Sequence, residues 1–310
     1  MNSNDELYPL LFERNLKTLV WGSEDWSVSA VKNSESVVAN GAWAALNLNE
    51  VIAKDPAAVL GAKVAQNYNG KMPLLAKIID AHQDLSIQVH PGDEMALREH
   101  GKMGKSEMWY IIDAESGASL YSGFKSAITP EEYRRRVADG TITEVLARHS
   151  VKPGDVFYLP AGRVHAIGAG ITLAEIQQSS DVTYRIYDYN RPGLDGKPRE
   201  LHTELAAKAI DYRVEADYRT SYTVPDQGAS DILDTPYFRI GLIRCKGSLT
   251  RKLRQDDSFV ILMNLAGECT LRCAGCDMGI KLTKQSSCLI PAALADFSLE
   301  GEAKLLEARI

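Results

Sequence analysis

Short runs in which apolar and polar positions alternate dominate the middle of the chain. Residues 77–81 (KIIDA), 85–90 (LSIQVH), 107–112 (EMWYII), 155–160 (DVFYLP), 171–177 (ITLAEIQ) and 183–189 (TYRIYDY) have strand length and are parted by Gly, Pro, Asp or Ser. From residue 237 the style recurs in YFRIGLIRC, SFVILMNL, CTLRC and SCLIPAA. Many short strands with turn punctuation predict a mainly β chain, a sandwich or barrel rather than a βαβ fold. Helix signals are few. Thr129, Pro130 and Glu132 form a capping box with proline at the first helical position, and Thr141 with Glu144 offers a second start. Together they predict helical structure near 130–148, and a third helix is expected over 203–212. The polar stretch 224–236 has proline near each end and predicts a boundary, giving domains 1–228 and 229–310.

Composition then narrows the classes of function. The 310 residues are 45% hydrophobic and 25% charged, as in ordinary globular domains, so disorder over most of the length is excluded. A net charge of −6 argues against a nucleic-acid partner. No apolar run reaches the roughly 18–20 residues of a membrane span, and the polar, acidic start does not read as a secretory leader. A cytoplasmic protein is expected. The five cysteines all fall within 245–288, which is no disulfide framework. The spacing of Cys269, Cys273 and Cys276 invites a zinc reading. However, the first two flank an alternating stretch and no histidine follows His202, so free thiols in the second β domain are expected instead.

Only six histidines, at 82, 90, 100, 149, 165 and 202, are available for chemistry. In 85–90, Leu85, Ile87 and Val89 face one side of a strand while Ser86, Gln88 and His90 face the other. By itself this face reads most simply as solvated. Glu107 opens an apolar run, where a carboxylate is costly unless paired, with Lys105 for example, or metal-bound. In Gly154–His165 a strand ends in a Pro160-Ala161-Gly162 turn and delivers His165 to the next strand. Gln88, His90, Glu107 and His165 together offer two imidazoles, one carboxylate and one amide oxygen. That set suits one borderline divalent ion, with Zn2+ the first choice. With a single negative charge among them, such a site could act as a Lewis acid toward a substrate oxygen.

At these residues a resemblance emerges. Gly154-x5-Pro160-x-Gly162-x2-His165 matches the second signature of the cupin superfamily apart from its final Asn. LSIQVHP, GKSEMWY, LPAGRVHAIGAG and SSDVTYR, in this order, resemble type I mannose-6-phosphate isomerases. Trp21-Gly22, Pro236-Tyr237-Phe238 and the overall length are similar to the short bacterial form of that family. The resemblance implies two cupin-like (jelly-roll) β-barrel domains with a few short helices, the second without a metal site. It also implies that Gln88, His90, Glu107 and His165 are the metal ligands. Asp181 and Arg185 match an active-site Asp-x-x-x-Arg segment, Lys105 the lysine of a Lys-x-Glu motif, and Glu175 a carboxylate on the preceding strand. Lys77 and Ser86 match positions near a substrate phosphate. Two departures stand out: Gly92 follows Pro91 where the family more often has Asp, and Ala166-Ile167 follow His165 where longer relatives carry an aromatic hydroxyl. The helical insertion of the long forms does not fit into this length.

The implied activity is interconversion of mannose 6-phosphate and fructose 6-phosphate through an enediol. The metal and Arg185 would stabilise negative charge on the oxygens. Asp181, Glu175 or a metal-bound water would serve as base, and Lys105 would shuttle protons. A metal-containing sugar-phosphate binder without turnover is the alternative, and an iron-dependent cupin oxygenase fits less well, because Gln88 does not resemble a facial triad.

Overall fold

The computed structural model describes residues 7–274, 276 and 278–310. The chain divides into two compact units, each discontinuous in sequence. One comprises Leu16–Asp25 and Lys77–Thr220; the other comprises the residues up to Asn15, Trp26–Ala76 and Ser221–Ile310. The sequence suggested a single cut at 228/229. The return of N-terminal segments to the later unit depends on long-range pairing such as Leu10 with Leu289, which no local pattern reports.

Most strand residues of the first unit belong to two sheets. In the six-stranded sheet the order is Leu16–Leu19, Gly22–Val28, Leu74–Ala81, Ile171–Gln178, Glu107–Ala114 and Val156–Leu159. In the five-stranded sheet it is Tyr184–Tyr187, Ile87–Val89, His165–Ile167, Ser119–Phe124 and Leu146–Ser150. Leu120 and Ile167 of the second sheet share one core with Trp109, Ile111, Phe157 and Leu173 of the first. The sheets therefore pack face to face, and the central strands Glu107–Ala114 and Ile171–Gln178 are buried at most positions rather than at every second one. The mainly β expectation holds.

The later unit contains a seven-stranded antiparallel sheet. Its long members, Arg239–Lys252, Val260–Cys273 and Asp296–Arg309, bury Ile243, Leu262, Leu271, Leu299 and Leu305 on one side. Cys245, Cys269 and Cys288 belong to the same core, with Cys273 packed against it. Burial pushes the thiols of Cys269 and Cys273 up to about 12.

Three details differ from the sequence expectation. The helix opened by Thr129 runs only over Pro130–Ala138, with Thr129 Oγ1 accepting from the Glu132 N–H at 3.2 Å. Residues 142–145 make one 3-10 turn, and Leu146–Ser150 is a strand paired with Ser119–Phe124. Ile142, Val145 and Leu146 are all buried, and at i, i+3 and i+4 a helix would bury them too. The Thr141 side chain makes no cap hydrogen bond, and the chain from Leu146 pairs with a neighbouring strand instead. The third helix is Thr203–Ala209, stopping short of 212. Four further short helices, Leu48–Lys54, Pro56–Leu60, Ala62–Asn67 and Asp93–His100, escape the periodicity test, because each spans eight residues or fewer. Three of them are held by end groups. Asn47 and Glu50 form a capping box, Asp55 caps the second helix, and the Asp257 carboxylate accepts from the N–H groups of Ala62 and Lys63 at 2.9 Å each.

Candidate metal centre

His90 follows the strand Ile87–Val89, Glu107 opens the strand Glu107–Ala114, and His165 opens the strand His165–Ile167. The Pro160-Ala161-Gly162 turn brings the last of these into place. Gly162 sits at φ +91°, and its N–H donates to the carbonyl of His90 at 2.8 Å. A Cβ there would come within 3.0 Å of the Ala209 carbonyl and would be strained by the backbone conformation as well. One backbone bond thus ties the turn that delivers one imidazole to the residue bearing the other.

The three side chains converge. Glu107 Oε2 lies 3.4 Å from His90 Nε2, and Oε1 lies 3.2 Å from His165 Nε2. One ligand atom from each falls within 4.8 Å of the others, and all three residues are at most 1% exposed. Both rings are oriented by backbone carbonyls: His90 Nδ1 is 2.8 Å from the oxygen of Val182, and His165 Nδ1 is 2.8 Å from that of Arg163. A carbonyl only accepts, so the proton of each neutral ring sits on Nδ1. The Nε2 lone pairs therefore face the carboxylate.

Burial, then the Lys105 ammonium, pushes His90 down to about 4, and burial lowers His165 as well. Burial works against the Glu107 charge, but Lys105 and the imidazoles outweigh it and hold its carboxyl well below the ordinary range. Lys105 Nζ reaches Glu107 Oε2 at 2.8 Å and His90 Nε2 at 3.0 Å. Glu107 Oε1 and His165 Nε2, both acceptors, are buried without a hydrogen-bond donor. Two lone pairs and a carboxylate meeting in a desolvated site form the donor set that a divalent cation completes.

Gln88 is half-buried and lies directly opposite His165 on one side and Arg185 on the other. Cross-strand partners share a face, so Arg185, Gln88, His165 and Ser122 form a row across the five-stranded sheet. The polar side of 85–90 is not a solvated surface, since Ser86 and His90 are both buried. Arg185 donates from one terminal nitrogen to the Glu200 carbonyl at 2.9 Å, while its Nε is buried without a partner.

Lys77 and Glu175 form a second buried group. Lys77 Nζ is 3.1 Å from Glu175 and 3.2 Å from Glu24. Burial disfavours its charge, but the two carboxylates prevail and hold the ammonium above the usual lysine range. Asp181 stands apart from both groups. Its carboxylate makes a 2.6 Å ion pair with Lys102 at the surface, beside a cavity of about 270 Å³ lined in part by His100, Tyr184 and His202.

Three residues that the sequence reading passed over belong with these groups. Trp109 donates from its indole to Glu175 Oε2 at 2.9 Å and stands at right angles to the His165 ring. Gln177 lies directly opposite Glu107, and its amide nitrogen bonds two carbonyls at 2.7 Å each, leaving Oε1 buried and unpartnered. Ser122, opposite His165, has a buried hydroxyl without a partner. Strand parity could have found the first two: Trp109 is two residues past Glu107, and Gln177 two past Glu175.

A face-to-face β fold with a buried His-Glu-His cluster defines a site able to hold a divalent metal ion, as in proteins of the cupin class. Comparison with known proteins agrees. The model of the phosphomannose isomerase type I catalytic domain matches residues 20–117, and that of the mannose-6-phosphate isomerase cupin domain matches 231–310. Mannose-6-phosphate isomerase ManA of Bacillus subtilis is 36% identical over 317 residues, covering 96% of this chain and 98% of the relative. The mannose-6-phosphate isomerase of Streptococcus mutans is 31% identical, with 96% and 97% covered. A crystal structure of the B. subtilis mannose 6-phosphate isomerase superposes with a TM-score of 0.86 at 30% identity, covering 97% of this chain and 99% of that one. The chain belongs to the type I mannose-6-phosphate isomerase family, and is an aldose–ketose isomerase of that family. Among the described residues no helix is long and apolar enough to cross a membrane.

Proposed function

We propose that the protein interconverts mannose 6-phosphate and fructose 6-phosphate through an enediol, in the cytoplasm, with Zn2+ held by Gln88, His90, Glu107 and His165. The observation that carries this reading is the convergence of two Nδ1-protonated imidazoles on the buried Glu107 carboxylate. Bound there, the metal supplies Lewis acidity toward the substrate's C1 and C2 oxygens.

The remaining work falls to side chains. Arg185, next to Gln88 in register, offers a guanidinium to the oxygen that gains charge as the carbon-bound proton leaves. Lys105 carries a proton between the two substrate oxygens in this reading, which its position within 3.0 Å of His90 and Glu107 supports. Of the two carboxylates that could take the proton from carbon, this reading favours Glu175. It is on the buried face shared with Glu107, whereas Asp181 is engaged by Lys102 at the surface. Ser86, two residues before Gln88, is assigned to the phosphate. Lys77 would have to release Glu24 or Glu175 to join it.

The test is turnover of mannose 6-phosphate by purified protein, before and after chelation and after Zn2+ is restored. Activity that is lost on chelation and returns with zinc is expected. A metal-loaded protein that makes no fructose 6-phosphate refutes the reading.

A further inference from the structure

We infer that Trp109 is a positioning residue for the isomerisation, linking the Glu175 carboxylate to the ring of His165 and fixing the orientation of both. The inference rests on the isomerase reading above. Trp109 shares a strand face with Glu107 and lies directly opposite Glu175 across the antiparallel pair. Its indole N–H donates to Glu175 Oε2 at 2.9 Å. Its ring stands 5.3 Å from that of His165, centroid to centroid, with an interplanar angle of 84°. Edge-to-face contact at this distance is the favoured arrangement of two aromatic rings.

Each end of the link has a function that needs a fixed direction. At His165, the bond from Nδ1 to the Arg163 carbonyl sets the tautomer but leaves the ring free to tilt about that bond. The perpendicular indole restricts the tilt and so keeps the Nε2 lone pair aimed at Glu107. At Glu175, one oxygen is already drawn to Lys77 at 3.1 Å, and Lys77 is drawn in turn to Glu24. Without the indole bond on the other oxygen the carboxylate could swing fully toward Lys77. Packing alone does not call for tryptophan at this site, since Phe157 opposite and Ile111 beside it fill the same core with plain hydrocarbon. Trp109 is fully buried, and a buried indole N–H needs an acceptor.

The test compares Trp109→Phe, Trp109→Leu, Glu175→Gln and the Trp109→Phe/Glu175→Gln double variant with the wild-type holoenzyme. Phenylalanine keeps a ring beside His165 and deletes only the N–H. It should lower kcat about tenfold, leave KM within about twofold, and leave Zn2+ affinity, measured by competition with a chromophoric chelator, at the wild-type value. Leucine also removes the ring and should weaken Zn2+ binding about tenfold. The double variant should lose no more than Glu175→Gln alone, because both changes break one link. Wild-type kcat in Trp109→Phe, additive losses in the double variant, or wild-type Zn2+ affinity in Trp109→Leu would each overturn the assignment. If Trp109→Leu fails to fold by circular dichroism, the phenylalanine variant and the double-variant comparison decide. A wild-type enzyme without turnover refutes the isomerase reading instead, and chelator competition then still judges the contact with His165.

Discussion

The two β-sheet interiors of this chain are written in the same alternating style and filled with opposite chemistry. In the later unit the inward positions of the long strands are Ile243, Cys245, Leu262, Cys269, Leu271, Leu299 and Leu305. Its chief buried charge, Glu307, is held by both Arg251 and Arg309. In the first unit the inward positions include Lys77, His90, Lys105, Glu107, His165, Glu175 and Gln177, all buried and several with atoms lacking a partner. Leaving a buried polar group unsatisfied costs about 1–3 kcal/mol. A fold carries such a cost only where something else completes the set. Polar residues inside the sheets therefore mark the site, while the alternation itself marks only strands.

That contrast can be broken first at Glu107. Glu107→Gln should cut kcat/KM roughly a thousandfold, equivalent to about 4 kcal/mol of transition-state stabilisation, and should weaken metal retention on gel filtration. Near-normal turnover would mean that the polar interior is not the site. The apolar interior should respond in the other currency. Leu305→Ala, at a fully buried position, should destabilise by about 3 kcal/mol in urea unfolding and leave kcat/KM of the folded protein within about twofold.

Gln177→Met tests whether an unpartnered acceptor belongs to function. We expect a loss of about tenfold in kcat/KM with a stability loss of about 1–2 kcal/mol, because two carbonyls lose their donor while one unsatisfied oxygen is removed. A large stability loss with full activity would place Gln177 with the scaffold. The smallest effect is expected at the surface. Lys102→Ala removes the exposed partner of Asp181 and should cost at most about 0.5 kcal/mol after solvent screening, with activity unchanged within about twofold. A loss of tenfold or more there would return Asp181 to the list of bases.

Acid sensitivity adds a direction. Burial raises the Asp188 carboxyl, but hydrogen bonds and charge from Arg199 and Arg191 prevail and hold it below the ordinary value. The folded state then binds this proton less readily than the unfolded one. Its contribution is complete above the unfolded value, near 3.8, and falls away as pH drops through the lower folded value. Asp188→Asn should flatten the acid limb of a stability–pH curve in that window.

How much could be read in advance follows from range. Gln88, His90, Glu107 and His165 stood out because each is polar within an apolar context of a few residues. Trp109 and Gln177 share faces with Glu107 and Glu175, but an aromatic and an amide in a β run look like ordinary strand residues until a partner strand is known. The stretch 142–148 shows the reverse error. Thr141 and Glu144 have the residue types of a capping box, yet the Thr141 side chain makes no cap hydrogen bond and Leu146–Ser150 pairs with Ser119–Phe124, a partner that no local signal reveals.

The sequence by itself determined the strand pattern, the mainly β class and the short list of groups able to bind a cation. Those properties depend on residues near one another in the chain. Tertiary structure alone decided which groups meet. The Nε2 atoms of His90 and His165 face Glu107 only because the carbonyls of Val182 and Arg163 hold each ring from behind. Lys77 pairs with Glu175 and with Glu24, residues far from it in sequence, and Asp181 pairs with Lys102 at the surface. The physical reason is the same in each case. Desolvation and pairing act over a few ångströms of space, and closeness in space is fixed by strand register and packing rather than by distance along the chain.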